Sequence, residues 1–133
     1  MSKRIYLNMS NARVATQIAK MKELEKRGIC PFCPEYFLEY HDAPIIKSTK
    51  HWLLTKNDYP YDGARQHLLL VHKKHIEKLA EITPKAAEEF FSLAKWAVKK
   101  FKLKGGGFSM RFGDVQYNAA TICHIHAHLL MGA

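Results

Sequence analysis

Hydrophobic positions recur along this chain with two different periods, and the change from one to the other marks its elements. From about Ser10 to Arg27, Val14, Ile18, Met21 and Leu24 fall at helical spacing among basic and polar residues, and Gly28 follows as a stop. An amphipathic helix is expected there, packed on its own domain or on a second subunit. APIIKSTKHWLLTKND, residues 43–58, reads as two short strands with a turn near Ser48–Lys50, and residues 59–66 read as a loop. HLLLVH at 67–72 is nearly continuous in apolar residues, as a central strand should be. KKHIEKLAEIT, 73–83, predicts a short helix. From Pro84, a good first helical residue after Thr83, a longer helix places Phe90, Ala94, Ala97, Val98 and Phe101 along one face, and the glycines at 105–107 end it. FSMRFG at 108–113 predicts a strand, DVQYNAA a loop, and CHIHAHLL at 123–130 the last strand. The pattern is α+β: an antiparallel sheet of about five strands with one main helix on its apolar face, plus the N-terminal helix. The expected division is a helix over 1–28 and one domain over 29–133.

Composition narrows the setting. At 133 residues the chain is long enough for one core and short of the size at which chains split. No apolar run approaches a bilayer span and the start lacks the apolar stretch of a secretory signal, so a cytoplasmic protein without a membrane partner is expected. The net charge of +9 favours anionic partners such as nucleotides, nucleic acid or phosphorylated metabolites, or else makes a solvated lysine-rich surface. Lys99, Lys100, Lys102 and Lys104 sit where cations suit a helix C-terminus, which weakens them as a nucleic-acid signal. Cys30 and Cys33, in Cys-Pro-Phe-Cys, suggest metal or redox chemistry in a reducing compartment.

The last strand carries the chemistry. A period of two puts His124, His126 and His128 on one face, with Ile125, Ala127 and Leu129 on the other. Cys123 then falls on the face opposite the histidines and reads as core. Neutral imidazoles in a row can hold a divalent metal, with Asp114 or His67 as the available extra ligand. They can also supply a nucleophile, a neighbour that orients it and a donor for the leaving group.

HIHAHLL, preceded by NDYPYDGARQHLLLVHKKHI and by FSMRFG with its following loop, resembles the histidine-triad superfamily of nucleotide hydrolases and transferases over roughly Cys30–Leu130. The resemblance implies an α+β fold, usually homodimeric, and cleavage at an α-phosphate through a nucleotidyl-histidine intermediate. It assigns His126 as nucleophile, His128 near the leaving oxygen, His67 as an auxiliary histidine and Thr121 as a hydroxyl on phosphate or leaving group. Arg111 falls where relatives place an amide beside the phosphates, and Asn57 resembles a residue near the ribose. The sequence departs from the pattern in its longer loop, DYPYDGARQ, and in NAAT, which replaces the usual glycine-glutamine before the hydroxyl.

Cys-x-x-Cys ahead of such a domain resembles the zinc sites of bacterial members. That implies a structural zinc on Cys30, Cys33, His75 and His124, with His72 or His51 as the fallback for His75. The implied substrates are a dinucleoside polyphosphate, a nucleoside phosphoramidate or a nucleotidylated metabolite. The alternatives are a repair protein that removes adenylate from nucleic-acid ends, or a non-catalytic nucleotide-binding zinc module. A zinc finger after the triad, usual in repair relatives, is not seen after Leu130, so nucleic acid is not favoured as a partner.

Overall fold

The structure, a computed structural model, describes Leu7 and residues 14–132. Its elements are α1 (Ala15–Arg27), α2 (Phe37–Tyr40), β1 (Ile45–Ser48), β2 (Trp52–Lys56), β3 (Ala64–His72), α3 (Pro84–Lys100), β4 (Gly107–Arg111) and β5 (His126–Gly132). The five strands form one antiparallel sheet in the order β1-β2-β3-β5-β4, so the last strand lies inside the sheet. Within it, His126 pairs with Val71 on β3 and Arg111 on β4, and His128 with Leu69 and Ser109.

α3 covers one face of the sheet. Thr83 caps it by accepting from the Ala86 N–H at 3.1 Å, and Pro84 takes the first position, where its missing donor is not needed. Ala86, Phe90, Leu93, Ala94 and Ala97 are buried on this helix, and most of them pack with Trp52, Leu54, Leu68, Leu70, Ile125, Ala127 and Leu129. Each large apolar side chain fully buried there contributes about 1.5–3 kcal/mol. The Trp52 indole N–H, buried with its ring, donates to the Ala86 carbonyl at 2.8 Å. Val98, expected on this face, is 40 % exposed. Eight residues beyond Phe90, it lies about 80° round the helix and outside the buried arc.

Two local expectations differ from the structure. The main helix stops at Lys100, before the glycines: Lys102 turns left-handed at φ 52° and the Leu103 N–H folds back onto the Val98 carbonyl at 3.0 Å. The glycines instead lead into β4, which Gly107 opens, and a Cβ on Gly106 (φ 150°) would stand 2.1 Å from the Leu130 carbonyl oxygen. In residues 73–83 only a 3₁₀ turn, Leu79–Glu81, forms. The reason is that the backbone upstream bonds elsewhere. The Ile76 carbonyl accepts from the Ile125 N–H at 2.9 Å and the Glu77 carbonyl from the Gly113 N–H at 2.6 Å, so neither can build a helix.

The opposite face is covered in part by α1 and the cysteine turn. α1 buries Gln17, Met21 and Leu24, whereas Val14 is 41 % exposed and Ile18 half-buried; expected positions 10–13 lie outside the described residues. Gly28 ends it at φ 66°, donating to the Leu24 and Glu25 carbonyls. Met21 and Leu24 pack with Cys30, Phe32, Phe37, Tyr40, Leu69, Val71 and Ile122. The sequence reading missed α2, a single turn that Arg27 ties to α1 through Glu39 at 2.8 Å and through the Tyr40 hydroxyl. β5 begins at His126, so His124 and Cys123 precede the ladder. Cys123 is therefore half-buried rather than core, and its thiol reaches the Gly113 carbonyl at 3.7 Å. Among the described residues no helix is long and apolar enough to cross a membrane.

Candidate functional site

Where α1, the cysteine turn and the sheet meet, the structure draws together residues far apart in sequence. Cys30 and Cys33 come from the turn, His75 from the stretch after β3, and His124 from the residue pair before β5. One donor atom from each lies within 4.8 Å of every other. Cys30 Sγ is 3.4 Å from His124 Nδ1, Cys33 Sγ 3.2 Å from His75 Nδ1, and the two Nδ1 atoms are 3.1 Å apart. Tetrahedral zinc, with bonds of about 2.3 Å to sulfur and about 2.0 Å to nitrogen, sets ligand atoms roughly 3.3–3.8 Å apart, and the cluster is near those spacings.

The far sides of both rings agree with that use. His124 Nε2–H donates to the His72 carbonyl at 2.5 Å and His75 Nε2–H to the Glu77 carboxylate at 2.6 Å, which leaves both Nδ1 atoms as lone pairs. The Cys33 thiol is held down at about 4, first by a hydrogen bond from Cys30 and, against its burial, by the His124 and His75 imidazoles. The donor set and its spacing fit a closed zinc site. The fallback ligands stand elsewhere: His72 donates from Nδ1 to the Lys74 carbonyl at 2.8 Å, and His51 is bonded to Glu89. His126 and His128 do not join this cluster, so the three histidines do not share one metal.

His126 and His128 instead line a neighbouring cleft of about 720 Å³, partly open to solvent. Asn57 and Thr121 line it too, beside an apolar wall of Met21, Phe32, Leu69 and Ile122. His126 is buried, its Nδ1–H donates to the His124 carbonyl at 2.6 Å, and its lone pair is therefore on Nε2. Burial pushes its pKa down to about 4, against the His124 carbonyl, which favours the proton, so the ring is neutral at ordinary pH. Phe32 packs edge-on against it, ring centres 5.1 Å apart.

His67 lies beneath His128, its Nε2 2.7 Å from His128 Nδ1. Asn57 is already engaged: its Oδ1 accepts from the Tyr59 N–H at 2.7 Å and its Nδ2 stands 3.1 Å from His67 Nε2. Arg111 is beside the histidines but outside the cleft lining. Its guanidinium donates to the Asn118 carbonyl at 2.7 Å and to the Tyr61 hydroxyl at 3.2 Å, while its buried Nε has no hydrogen-bond partner among the described residues.

Several residues here escaped the sequence reading. Glu77 orients His75 from two positions away, a spacing that motif matching does not weigh. Tyr61 stacks on His128, ring centres 5.4 Å apart and planes within 20°. Lys20, on the polar side of α1, reads in sequence as solvated surface. In the fold it lines the cleft, donates to the Tyr40 carbonyl at 2.8 Å and lies 3.7 Å from Asp58, whose carboxylate accepts from the Asp42 and Ala43 N–H groups at 2.9 Å each.

This architecture has known counterparts. A histidine triad nucleotide-binding protein from Candida albicans is superposable over 79 % of this chain and 76 % of its own, with TM-score 0.66 and 20 % identity. A HIT family hydrolase from Clostridium thermocellum matches over 78 % of this chain and 90 % of its own, with TM-score 0.61 and 24 % identity. A Plasmodium falciparum diadenosine triphosphate hydrolase, solved with cyclomarin A, matches over 67 % and 60 %, with TM-score 0.57 and 16 % identity. At these identities the likeness is one of fold. A comparison with curated protein sequences finds no match. The HIT domain family model, however, matches residues 40–133, all five strands together with α3 and all three closely spaced histidines, and by that match the chain belongs to the HIT domain family.

Proposed function

We propose that the protein is a nucleotide hydrolase or nucleotidyltransferase that cleaves at an α-phosphate through His126. The observation that carries this reading is the commitment of His126 Nδ1 to the His124 carbonyl, which leaves Nε2 as the lone-pair nitrogen of a neutral ring lining the cleft. In the step proposed, that lone pair forms an N–P bond as the bond from phosphorus to the bridging oxygen breaks, and the leaving group departs with the electron pair. Water, or another hydroxyl acceptor, then attacks phosphorus. The N–P bond breaks, its electron pair returns to Nε2, and the acceptor's proton passes to solvent. Thr121, on the cleft wall, would donate to a phosphate oxygen, and Arg111, paired with His126 across the ladder and just outside the cleft lining, would add positive charge near the phosphate. His128 stands at the leaving-group end with His67 beneath it. Asn57 belongs to the nucleoside end, where Met21, Phe32, Leu69 and Ile122 offer a base an apolar wall.

Cys30, Cys33, His75 and His124 would hold zinc, which supplies a closed structural cross-link between the cysteine turn and the residues leading into β5. Two thiolates of this kind suit a reducing compartment such as the cytoplasm. We further read the protein as a homodimer. In support, β4 is an edge strand, and beside it Phe91, Val98 and Phe108 leave an apolar strip 53 %, 40 % and 50 % exposed.

The test is incubation with a panel of dinucleoside polyphosphates, nucleoside phosphoramidates and nucleotidylated metabolites, followed by rapid acid-free quenching and mass spectrometry of the intact protein. A nucleoside monophosphate adduct that maps to His126 is the expected result. An adduct on another residue, or full turnover by His126→Ala, would overturn the assignment.

A further inference from the structure

Tyr61 lies in the loop between β2 and β3 and meets the leaving-group end of the cleft in three ways. Its backbone N–H donates to His67 Nδ1 at 3.0 Å. Its ring lies nearly parallel to His128 and tilts against His67, ring centres 4.4 Å apart. Its hydroxyl accepts from Arg111.

The first contact fixes where protons sit on two histidines. A backbone N–H can only donate, so His67 Nδ1 accepts and the proton of that ring is on Nε2. The Asn57 amide nitrogen near the same Nε2 is itself a donor and cannot receive that proton. His128 Nδ1, 2.7 Å away, is the acceptor. A His128 ring that accepts at Nδ1 is neutral and carries its own hydrogen on Nε2. Such a group offers a hydrogen bond rather than a proton, because releasing the proton would leave an imidazolate.

We propose that Tyr61 is the positioning residue of the leaving-group end: its amide and ring hold His128 as a neutral Nε2–H donor, so the site favours leaving groups that depart as anions. The phosphates of an anhydride qualify; an amine, which must be protonated as it leaves, does not. The inference rests on the reading of His126 as nucleophile. In the step, the His126–phosphorus bond forms, the phosphorus–oxygen bond breaks, and the pair stays on the leaving oxygen, whose charge accepts the His128 hydrogen bond. No proton changes hands.

The first test needs no turnover. Long-range ¹H–¹⁵N spectra of the zinc-loaded full chain at neutral pH should show His67 and His128 neutral with hydrogen on Nε2. An Nδ1–H or doubly protonated His128 overturns the proposal. The second test uses kinetics. Diadenosine triphosphate should exceed adenosine 5′-phosphoramidate in kcat/KM by at least about tenfold, the worth of a hydrogen bond to a charged oxygen; the reverse order overturns the proposal. Tyr61→Ala should lower kcat/KM by at least about tenfold on the phenyl ester of adenosine monophosphate, but by less than about threefold on its far more acidic 2,4-dinitrophenyl ester. Tyr61→Phe, which keeps the ring that Tyr61→Ala removes, should restore the wild-type ratio of the two esters. Equal losses on both esters would mean a merely structural role and sink the assignment. If the wild-type protein turns over none of these compounds, the His126 reading fails by itself, and the spectra still decide where the His128 proton sits.

Discussion

The two faces of the sheet are built from alternate residues of the same strands, yet they are held by different forces. Toward α3, Trp52, Leu54, Leu68, Leu70, Ile125 and Leu129 remove apolar surface from water and need little else. On the other face, His67, His126 and His128 are about as buried, between 4 % and 7 % exposed, but a buried imidazole is costly unless its nitrogens are bonded. Each has a partner: the His124 carbonyl for His126, and His67 and His128 for one another. Burial of equal depth therefore stabilises the fold on one face and orients imidazole nitrogens on the other. Thr55 follows the same rule on β2, donating to the Pro44 carbonyl at 2.9 Å and accepting from His41 at 2.9 Å.

If that contrast is right, substitutions on the two faces should separate chemistry from stability. The largest effect is expected at His126. Its replacement by alanine should reduce turnover by at least about 10⁴-fold, some 5.5 kcal/mol of barrier, while shifting Tm by only a few degrees. Wild-type turnover in steady-state assays of that variant would erase the distinction between the faces.

Next is Cys33→Ser, which should release about one zinc per chain and lower Tm by about 10 °C or more, because binding at a closed site is coupled to folding. Elemental analysis and calorimetry check it, and wild-type protein grown with zinc but containing none would remove the metal from the account. A chelator strong enough to strip the site should reproduce the loss of stability.

On the apolar face, Leu70→Ala should cost about 2–5 kcal/mol in denaturant unfolding and leave kcat/KM per folded molecule within about twofold of wild type. A chemical defect without a loss of stability would show that the two faces are coupled. The smallest effect is expected at Glu77, which holds the far side of His75. Glu77→Gln should weaken zinc affinity about 10–100-fold in competition with a chromogenic chelator, with an unchanged melting curve at saturating zinc.

Much of this arrangement is legible in local pattern, and the reasons are local. The unbroken apolar run in HLLLVH marks a central strand, and alternation in HIHAHLL assigns residues to opposite faces because a strand's side chains alternate whatever the strand packs against. Gly28 and the Thr83-Pro84 pair mark helix ends because capping depends on adjacent backbone. The tight clustering of histidines and the Cys-x-x-Cys turn announce reactive and metal-binding chemistry before any fold is known. Local pattern fails where distant backbone competes for hydrogen bonds. Residues 73–83 read as helix, but Ile76 and Glu77 bond to Ile125 and Gly113 instead, and that irregular path is what brings His75 to the cysteines.

What the sequence by itself determined is therefore the two-faced sheet, the helix boundaries set by capping residues, and the residue types available for chemistry. Tertiary structure alone decided how equivalent histidines divide their work. His124 joins Cys30, 94 residues away, in the cluster of two thiols and two imidazoles, while His126, two positions later, turns its lone pair to a cleft. It also decided that Lys20 and Tyr61, unmarked by any motif, line that cleft. The physical reason is that the tautomer of an imidazole and the closure of a ligand set depend on which donors and acceptors arrive from elsewhere, and those arrivals follow from the packing of the whole chain.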